Sequence, residues 1–449
     1  MNLHHFLKQR AENNRPIGVA LIGAGKFATM FLTQARLTTG MHIVGIAELA
    51  VTRGQAACVL AGWPSEQIAA QNLDDAAKNK TTFITEDVDA LIAHPSVEVV
   101  IDATGNPHAG VAHCLKAISN GKHIIMVNVE ADALAGPLLA RKAQQAGVVY
   151  SLAWGDQPAL ICEHVDWARA CGFTVTCAGK GTRYLPRYHE LTPDTVWDTL
   201  KVYLDVNEDS DINPKMFNSF LDGTKSGIEM TAVCNATGLV PQADGLSFPP
   251  ASRFDLADTF KPQDKGGTLT SNGTTEVASS LFRDGTDVPA HLVMGTFVVI
   301  EGESEYAREC FKQYHMLPDK SHHYAALYRP THMIGMELGI SVAAAACRNE
   351  ATGAPICFNS DVVSIAKRDL KAGEILDGEG GFMVWGKQMP AASSMATGGL
   401  PLGLASGIRL KHSIAKGSHL TWQDVDIDEN DPTVRFRREM EAAFALPNI

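Results

Sequence analysis

The residues that most strongly indicate a chemical function form a glycine-rich turn near the start of the chain. Gly23, Gly25 and Ala28 make a GxGxxA motif, with Lys26 and Phe27 inside it. In such a turn the first glycine permits a tight bend, the second lets a pyrophosphate approach the backbone, and the alanine lets a helix pack closely. The motif predicts a nicotinamide-dinucleotide, NAD(P), site. A glycine turn that binds no dinucleotide is the alternative.

Two residues that follow the motif bear on which dinucleotide binds. Glu48 lies 48 − 28 = 20 residues beyond Ala28, at the end of the next apolar run. A carboxylate there accepts hydrogen bonds from the adenosine ribose and repels a 2′-phosphate, which favours NAD(H). Arg53 would instead clamp a 2′-phosphate, or it is a solvated residue at a helix start, so NADP(H) stays open.

Two later turns supply further candidate cofactor contacts, because each follows an apolar run that reads as a parallel strand. The carboxyl ends of such strands line the cofactor crevice in doubly wound sheets. The candidates are Thr104, Gly105, Asn106, Asn128 and Glu130. Helix capping by asparagine is a second role, compatible with the first.

A second constellation contains Asp222, Lys225, Glu229 and Asn235, in a segment predicted to be helical over Pro214–Ala236 and broken by the Asp222-Gly223 pair. In a helix, Lys225 and Glu229 share a face, because they are four residues apart. A lysine held among carboxylates can donate a proton to a carbonyl oxygen that becomes an alkoxide. An ordinary i,i+4 salt bridge is the alternative. The apolar residues around this segment favour a catalytic lysine.

Other charged residues suit the binding of an anionic substrate. Lys180, Arg183 and Arg187 lie among or near glycines after a predicted strand, and Arg329 precedes a late helix. Cations in such a setting can receive a carboxylate or phosphate, although a solvated loop would look the same. Asp156, before a proline, is either a turn residue or a group that orients the lysine or holds a metal ion.

The pattern of apolar runs predicts the elements that position these residues. From Ile17 onwards, short apolar strands alternate with helices, which predicts an α/β fold with a Rossmann-type doubly wound parallel sheet. We expect an N-terminal arm over 1–15 and a dinucleotide-binding domain over 16–154. An α+β catalytic domain follows over 155–330, and a helix over 331–348 returns to the first domain.

A small β-rich domain with a final helix is expected over 357–449. Two segments in it, Ser364–Leu376 and Leu410–Leu420, share a pattern of basic, aliphatic and glycine residues. Leu370 aligns with Ile414, and Gly373 aligns with Gly417. We interpret this as an internal repeat. Chance similarity of two turns is the alternative.

The composition excludes several classes of function. The 449 residues carry 38 basic and 50 acidic side chains, a net charge of −12, and no basic tract. Nucleic-acid and anionic-membrane binding are therefore not expected. The nine scattered cysteines include no CxxC pair, and no secretory signal or membrane span is visible. These features predict a soluble, cytoplasmic protein of several domains.

Several of these motifs resemble known families. The stretches IGVALIGAGKFA, VVIDATGNP and GKHIIMVNVEAD resemble homoserine-dehydrogenase-like oxidoreductases. The stretches YSLAWGDQP, AGKGT, FLDGTKSGIEM and NATGLVP resemble the 1-deoxy-D-xylulose 5-phosphate reductoisomerase-like (type II) proteins, and AKRDLKAGEIL resembles the SAF domain of those proteins. The resemblance spans about residues 16–425.

The resemblance implies a homodimeric or homotetrameric NAD(P)-dependent enzyme, with a divalent cation if it acts as a reductoisomerase. It also implies that Asp156, Lys180, Lys225 and Glu229 surround the substrate. Homoserine dehydrogenases carry a lysine after the asparagine of the loop at Asn128, where this chain has Val129. That departure counts against homoserine as the substrate.

Together these features predict hydride transfer to or from a carbonyl or hydroxyl carbon of a small anionic molecule, with or without a coupled isomerisation. The first alternative is genuine 1-deoxy-D-xylulose 5-phosphate reductoisomerase activity. The second alternative is a sensor that binds NAD(P) without catalysis.

Overall fold

The computed structural model describes residues 2–202 and 213–445 of the chain. The chain forms two compact units. The first unit comprises Met1–Leu160 and His332–Ile356, and the second comprises Ile161–Thr331 and Cys357–Ile449. The division into three domains and the oligomeric state stay predictions. Residues 446–449 of the expected C-terminal domain lie outside the described residues.

The strands of the described residues are numbered in chain order. They are β1 (Ile17–Ile22), β2 (Met41–Ala47), β3 (Phe83–Thr85), β4 (Val99–Asp102), β5 (His123–Met126), β6 (Tyr150–Leu152), β7 (Thr174–Thr182), β8 (Thr274–Ser279), β9 (Thr296–Glu301), β10 (Tyr324–Arg329), β11 (Ser360–Ala366), β12 (Ile375–Asp377), β13 (Val384–Pro390), β14 (Ser406–Leu410) and β15 (Val425–Asp426).

The α-helices are numbered in the same way. They are α1 (Leu3–Glu12), α2 (Lys26–Ala35), α3 (Val51–Leu60), α4 (Leu73–Asn79), α5 (Val88–Ala93), α6 (Pro107–Ser119), α7 (Val129–Gln145), α8 (Gln157–Ala170), α9 (Val196–Leu200), α10 (Pro214–Leu221), α11 (Thr224–Thr237), α12 (Leu256–Thr259), α13 (Glu305–Gln313), α14 (Gly339–Arg348), α15 (Ala391–Thr397) and α16 (Pro432–Phe444). None of the helices in the described residues is long and apolar enough to cross a membrane.

The first unit is built on a six-stranded sheet in the order β3-β2-β1-β4-β5-β6, with every pair parallel. All six residues of β1 and all four of β4 are buried, as expected for strands covered by helices on both faces. This strand order is that of a doubly wound dinucleotide-binding sheet. The predicted α/β fold class is therefore confirmed.

The first helix of the first unit, α1, packs against its last helix, α14. Arg10 on α1 donates to the backbone oxygen of Ala346 at 3.2 Å and pairs with Glu98 at 2.8 Å. The helix that the sequence predicted over Thr331–Arg348 was drawn too long at its start. Residues 331–333 have no regular secondary structure, residues 334–338 form turns, and the regular helix begins at Gly339.

The second unit contains a mixed four-stranded sheet in the order β10-β9-β7-β8. Strands β7 and β8 are parallel, whereas β9 runs antiparallel to both β7 and β10. Each face of this sheet covers its own apolar core. Ala178 and Val298 belong to one core, and Cys177 and Phe297 belong to the other. Neighbouring residues along each strand therefore serve different faces.

The segment that carries Lys225 is interrupted where the sequence predicted an interruption. Helix α10 ends at Leu221, and α11 begins at Thr224 after Gly223, whose φ is +90°. A left-handed residue cannot continue a right-handed helix, and glycine adopts this conformation without steric penalty. The Asp222-Gly223 turn therefore sets the start of α11.

The C-terminal part of the second unit contains a two-stranded sheet, β11-β13, and a three-stranded sheet, β12-β14-β15. The two similar segments recognised in the sequence pair with each other. Leu370 and Ile414 exchange two backbone hydrogen bonds, of 2.8 and 3.0 Å. Ala366 bonds to Gly417 and Ser418, and Leu410 bonds to Gly373 and Glu374 in the equivalent pattern. A shift of 414 − 370 = 44 positions maps one set of bonds onto the other.

Candidate active site

The glycine-rich turn of the first unit has the geometry that a dinucleotide requires. Gly23 has a φ of +90°, and a Cβ there would lie 2.9 Å from the oxygen of Ala103. Gly25 caps α2, and a Cβ on it would meet only Arg53 Nη2, at 3.9 Å, which leaves room for a pyrophosphate above the turn. Ala28 is fully buried. These features fit the three roles of the motif.

Glu48 is positioned by the same turn. Its Oε2 accepts a 2.7 Å hydrogen bond from the backbone nitrogen of Ala24. Arg53 Nη1 lies 4.0 Å from Glu48 Oε1, and the Arg53 side chain is 63% exposed against 8% for Glu48. The Glu48 carboxylate and the Arg53 guanidinium are therefore neighbours, just after the C-terminal end of β2.

The candidate cofactor contacts after β4 and β5 form one hydrogen-bonded group. The Asn128 amide donates to Thr104 Oγ1 at 3.1 Å and to the oxygen of Asn106 at 2.8 Å. The side-chain oxygens of Asn128 and Asn106 cap α7 and α6. Asn128 therefore holds the loop that carries Thr104, Gly105 and Asn106, and it is itself only 1% exposed.

Three other candidates of the first unit are placed at helix starts. Lys26 is the first residue of α2, and Glu130 lies in the first turn of α7. Asp156 is 7% exposed and accepts a 2.9 Å bond from the backbone nitrogen of Gln157, at the start of α8. Phe27, beside Lys26, packs partly buried against the apolar core.

In the second unit, Lys180 on β7 and Glu229 on α11 form a buried ion pair. The sequence placed both residues at the substrate, but the i,i+4 spacing pointed to Lys225 rather than Lys180 as the partner of Glu229. Lys180 lies 49 positions earlier in the chain. Lys225 and Ala236 are the two residues of α11 that are not fully buried, so Lys225 is the half-buried cation at the start of a buried helix.

A row of polar residues crosses the sheet beside this ion pair. Thr296 on β9 is in register with Lys180 on one side and with Arg329 on the other. Residues directly opposite each other on antiparallel strands point to the same face. His164 on α8 reaches this row, with Nε2 at 3.0 Å from Thr296 Oγ1. Burial, helped by the charge of Arg329, lowers the pKa of His164 to about 4, so the imidazole is neutral at pH 7.

Asp222 and Asn235 are engaged with the protein rather than presented to a ligand. Asp222 Oδ1 accepts from the backbone nitrogen of Thr224 at 2.9 Å, and Oδ2 pairs with Lys367 at 2.8 Å. Asn235 is fully buried, and its amide bonds to the backbone of Asn359 and Ser360. Both residues were expected at the substrate, and the structure gives them a role in holding the backbone.

The three arginines expected to bind an anion differ in their exposure and in the groups that they contact. Arg183 donates to Asp287 Oδ1 at 2.8 Å, and its side chain is 16% exposed. Arg187 is exposed and lies over the ring of Tyr188 at 5.7 Å. Arg329 donates from Nε to the oxygen of Thr331 at 3.1 Å and belongs to the polar row.

Sequence reasoning missed His164, Thr296 and Lys367. Each meets its partner through a contact between distant parts of the chain, and a single sequence contains no signal for that proximity. Among the described residues, no group of three or more His, Cys, Asp or Glu side chains could hold a metal ion.

Two family models match consecutive parts of the chain. The NAD-binding domain of homoserine dehydrogenase matches residues 27–152, and the catalytic domain of the oxidoreductase DRL matches residues 155–338. Both families are oxidoreductases. The prediction of an NAD(P)-dependent oxidoreductase is confirmed at the level of these two domains.

Individual proteins match more distantly. The homoserine dehydrogenase of Pseudomonas aeruginosa is 32% identical over 83 residues, which are 18% of this chain and 19% of that enzyme. The chain therefore spans about a fifth of the length of this curated relative.

Two solved structures illustrate how similar this chain is to proteins of known structure. Dihydrodipicolinate reductase from Paenisporosarcina sp. TG-14 is 10% identical, with a TM-score of 0.33, and the match covers 74% of this chain and 94% of that one. The 1-deoxy-D-xylulose 5-phosphate reductoisomerase of Zymomonas mobilis is 17% identical, with a TM-score of 0.34, and the match covers 49% and 57%.

Proposed function

We propose that this chain is an NAD(P)-dependent oxidoreductase that transfers a hydride between the nicotinamide and the carbonyl or hydroxyl carbon of a small anionic molecule. The glycine turn of the first unit binds the cofactor, which supplies or receives the hydride. In the direction of reduction, the carbonyl carbon accepts the hydride and its oxygen accepts a proton, which gives the alcohol and the oxidised cofactor.

The observation that carries this proposal is the position of Lys225. It is the cationic residue of a helix that is otherwise almost wholly buried, and it lies in the first turn of that helix. The N-terminus of a helix adds partial positive charge, so an alkoxide that forms beside Lys225 is stabilised by both. Lys225 donates the proton, and Glu229, one turn deeper on the same face, is fixed by its ion pair with Lys180.

The polar row supplies the recognition of the anionic part of the substrate. Arg329 provides the charge, while neutral His164 and Thr296 provide hydrogen-bonding groups. Arg183 and Arg187 add positive charge at the end of β7. A carboxylate or phosphate group is the chemistry that such a set recognises best.

The test is a panel of aldehydes, ketoses and hydroxy acids that carry a carboxylate or phosphate, assayed with NADH, NADPH and their oxidised forms. The panel includes 1-deoxy-D-xylulose 5-phosphate with and without Mg²⁺, which decides the reductoisomerase alternative. With the substrate found, Lys225→Ala should lower kcat about 100-fold or more, while the Kd of the cofactor is unchanged.

The matched control is Lys312→Ala, which removes an exposed lysine on α13 of the same unit. Full turnover by Lys225→Ala would overturn the assignment of this lysine. Cofactor binding with no turnover on any substrate would favour the alternative of a non-catalytic sensor.

We also infer a preference for NAD(H), because Glu48 presents a carboxylate where a 2′-phosphate would lie. Glu48→Ser should tighten NADPH binding about 10-fold or more and weaken NADH binding. Arg53→Ala is the counterpart variant. If Arg53 clamps a 2′-phosphate, its loss weakens NADPH binding alone, and the preference inferred from Glu48 is then wrong.

A further inference from the structure

Lys367 is a buried cation from the C-terminal part of the second unit, directly after β11. Its side chain is 2% exposed. Its Nζ lies 2.8 Å from Asp222 Oδ2, 2.7 Å from the oxygen of Leu191 and 2.8 Å from the oxygen of Gly381. The ammonium group donates hydrogen bonds to the oxygens of Leu191 and Gly381 and forms an ion pair with Asp222, so it ties three different segments.

The partner of Lys367 that matters for the chemistry is Asp222. Its other carboxylate oxygen accepts from the backbone nitrogen of Thr224, the first residue of α11. Its backbone oxygen accepts a 2.6 Å bond from His189 Nδ1. Lys367 and His189 thus hold two sides of the Asp222-Gly223 turn, and Lys225 follows that turn by two residues.

The same C-terminal part contacts the turn at three further points. The nitrogen of Gly386 donates to Thr224 Oγ1 at 2.9 Å. A Cβ on Gly227 would lie 2.8 Å from the oxygen of Gly386. On the α10 side, the Asn218 amide donates to the oxygen of Gly380 at 2.9 Å. Residues of the C-terminal part therefore fix the backbone on both sides of the turn.

A buried ion pair is an expensive way to stabilise a fold, because an apolar side chain of similar volume often gives equal or greater stability. What the charged pair adds is a link between two segments, since one carboxylate meets both Lys367 and the Thr224 nitrogen. The contacts therefore point to a role in placement rather than in stability.

We propose that Lys367 is a positioning residue for Lys225, through which the C-terminal part of the chain sets the start of α11. This inference rests on the proposed function for the role of Lys225. It gives the C-terminal part a defined task, which is to complete the catalytic turn of the second unit.

The test compares Lys367→Met with Lys371→Met in the full chain, since Lys371 is exposed and lies four residues further along. Lys367→Met should lower kcat about 10-fold or more, with the Kd of the cofactor unchanged, whereas Lys371→Met should match the wild type. Amide hydrogen exchange in the first turn of α11 should be faster in Lys367→Met than in the wild type, and it should be unchanged in Lys371→Met.

Asp222→Asn is the second variant, because it keeps the shape of the side chain and serves if Lys367→Met does not fold. It should lower kcat by a similar factor, and the pH profile of kcat should shift in the same direction in Asp222→Asn and in Lys367→Met. The double variant should be no worse than either single variant. Unchanged kcat and unchanged hydrogen exchange in a folded Lys367→Met or Asp222→Asn protein would overturn the proposal.

A separate readout keeps this inference apart from the proposed function. If the wild type turns over no substrate, the proposed function fails, and the acetylation rate of Lys225 by acetic anhydride, followed by mass spectrometry, becomes the measure. A changed rate in Lys367→Met, with an unchanged rate at Lys312, supports positioning by Lys367. An unchanged rate at Lys225 contradicts it.

Discussion

Lys180 and Glu229 form an ion pair in which the side chains are only 5% and 3% exposed. Removing one partner leaves a buried charge without compensation, whereas removing both leaves none. We expect Lys180→Met and Glu229→Gln each to lower the free energy of unfolding by about 3–5 kcal/mol. The double variant should lose less than the sum, as measured by urea unfolding in a double-mutant cycle.

The control for this cycle is the exposed pair Lys8–Glu12, with side chains 63% and 62% exposed. Its cycle should give a coupling of about 0.5 kcal/mol or less. Additive effects at Lys180 and Glu229 would show that the pair contributes no coupling energy.

The two glycines of the dinucleotide turn should respond differently to alanine. A methyl group on Gly25 meets no atom closer than 3.9 Å, so the free energy of unfolding should change by about 0.5 kcal/mol or less. In the proposed mode of cofactor binding that methyl group takes the space of the pyrophosphate, so NADH binding, measured by fluorescence titration, should weaken at least 10-fold. Wild-type affinity in Gly25→Ala would place the cofactor elsewhere.

Gly23→Ala is the matched comparison. Its φ of +90° and the 2.9 Å approach to the oxygen of Ala103 make the substitution destabilising, by at least about 1–2 kcal/mol for the left-handed backbone alone. The loss should be visible in urea unfolding of the protein without cofactor.

The buried carboxyl group of Asp132 should make the stability of the first unit depend on pH. It is fully buried on α7 and accepts a 2.6 Å bond from the Tyr150 hydroxyl. Burial raises its pKa to about 7. The folded protein therefore binds this proton more tightly than the unfolded chain, so the contribution to stability is present at low pH and is lost as pH rises towards 7.

Asp132→Asn removes this contribution to the pH dependence. Relative to the wild type, the variant should gain stability between pH 5 and pH 8, by at most about 3 kcal/mol, in urea unfolding at each pH. The exposed Asp89 provides the control as Asp89→Asn, which should give a constant difference. The same constant difference in Asp132→Asn would mean that Asp132 is ionised throughout this range.

The repeat in the C-terminal part predicts equal effects at equivalent positions. Gly373 and Gly417 have φ values of +88° and +80°, and a Cβ on either would meet no atom within 4 Å. Alanine at each position should therefore cost only the strain of the left-handed backbone, about 1–2 kcal/mol. Differential scanning calorimetry should show similar decreases in Tm, and a clear inequality would mean that the two turns are not equivalent.

Local patterns in the sequence were sufficient for much of the fold. The glycine turn, the parallel strands and the break at Asp222-Gly223 were predicted because each depends on residues close together in the chain. Strand β8 was missed because its buried residues include Thr274, Thr275 and Glu276, which look exposed in a sequence. Glu276 is tolerated there because Ser247, Gln242 and backbone nitrogens donate to its carboxylate.

The candidate active site was predicted less completely, because its residues meet through contacts between distant parts of the chain. Lys180, Lys225 and Glu229 were identified by residue type, but the partner of Glu229 was not, since Lys180 lies on a distant strand. His164 and Thr296, 132 positions apart, meet only in the folded sheet. Lys367 follows an apolar strand and gives no sign in the sequence that it reaches Asp222.

The paired segments around Leu370 and Ile414 also bear on the ancestry of the chain. The backbone hydrogen bonds that the first segment makes to the second are matched by equivalent bonds from the second to the first. The contact therefore has the twofold symmetry of two identical molecules in a dimer. A tandem duplication of a segment that once associated with its own copy produces this arrangement. Once both copies belong to one polypeptide, their association no longer depends on protein concentration.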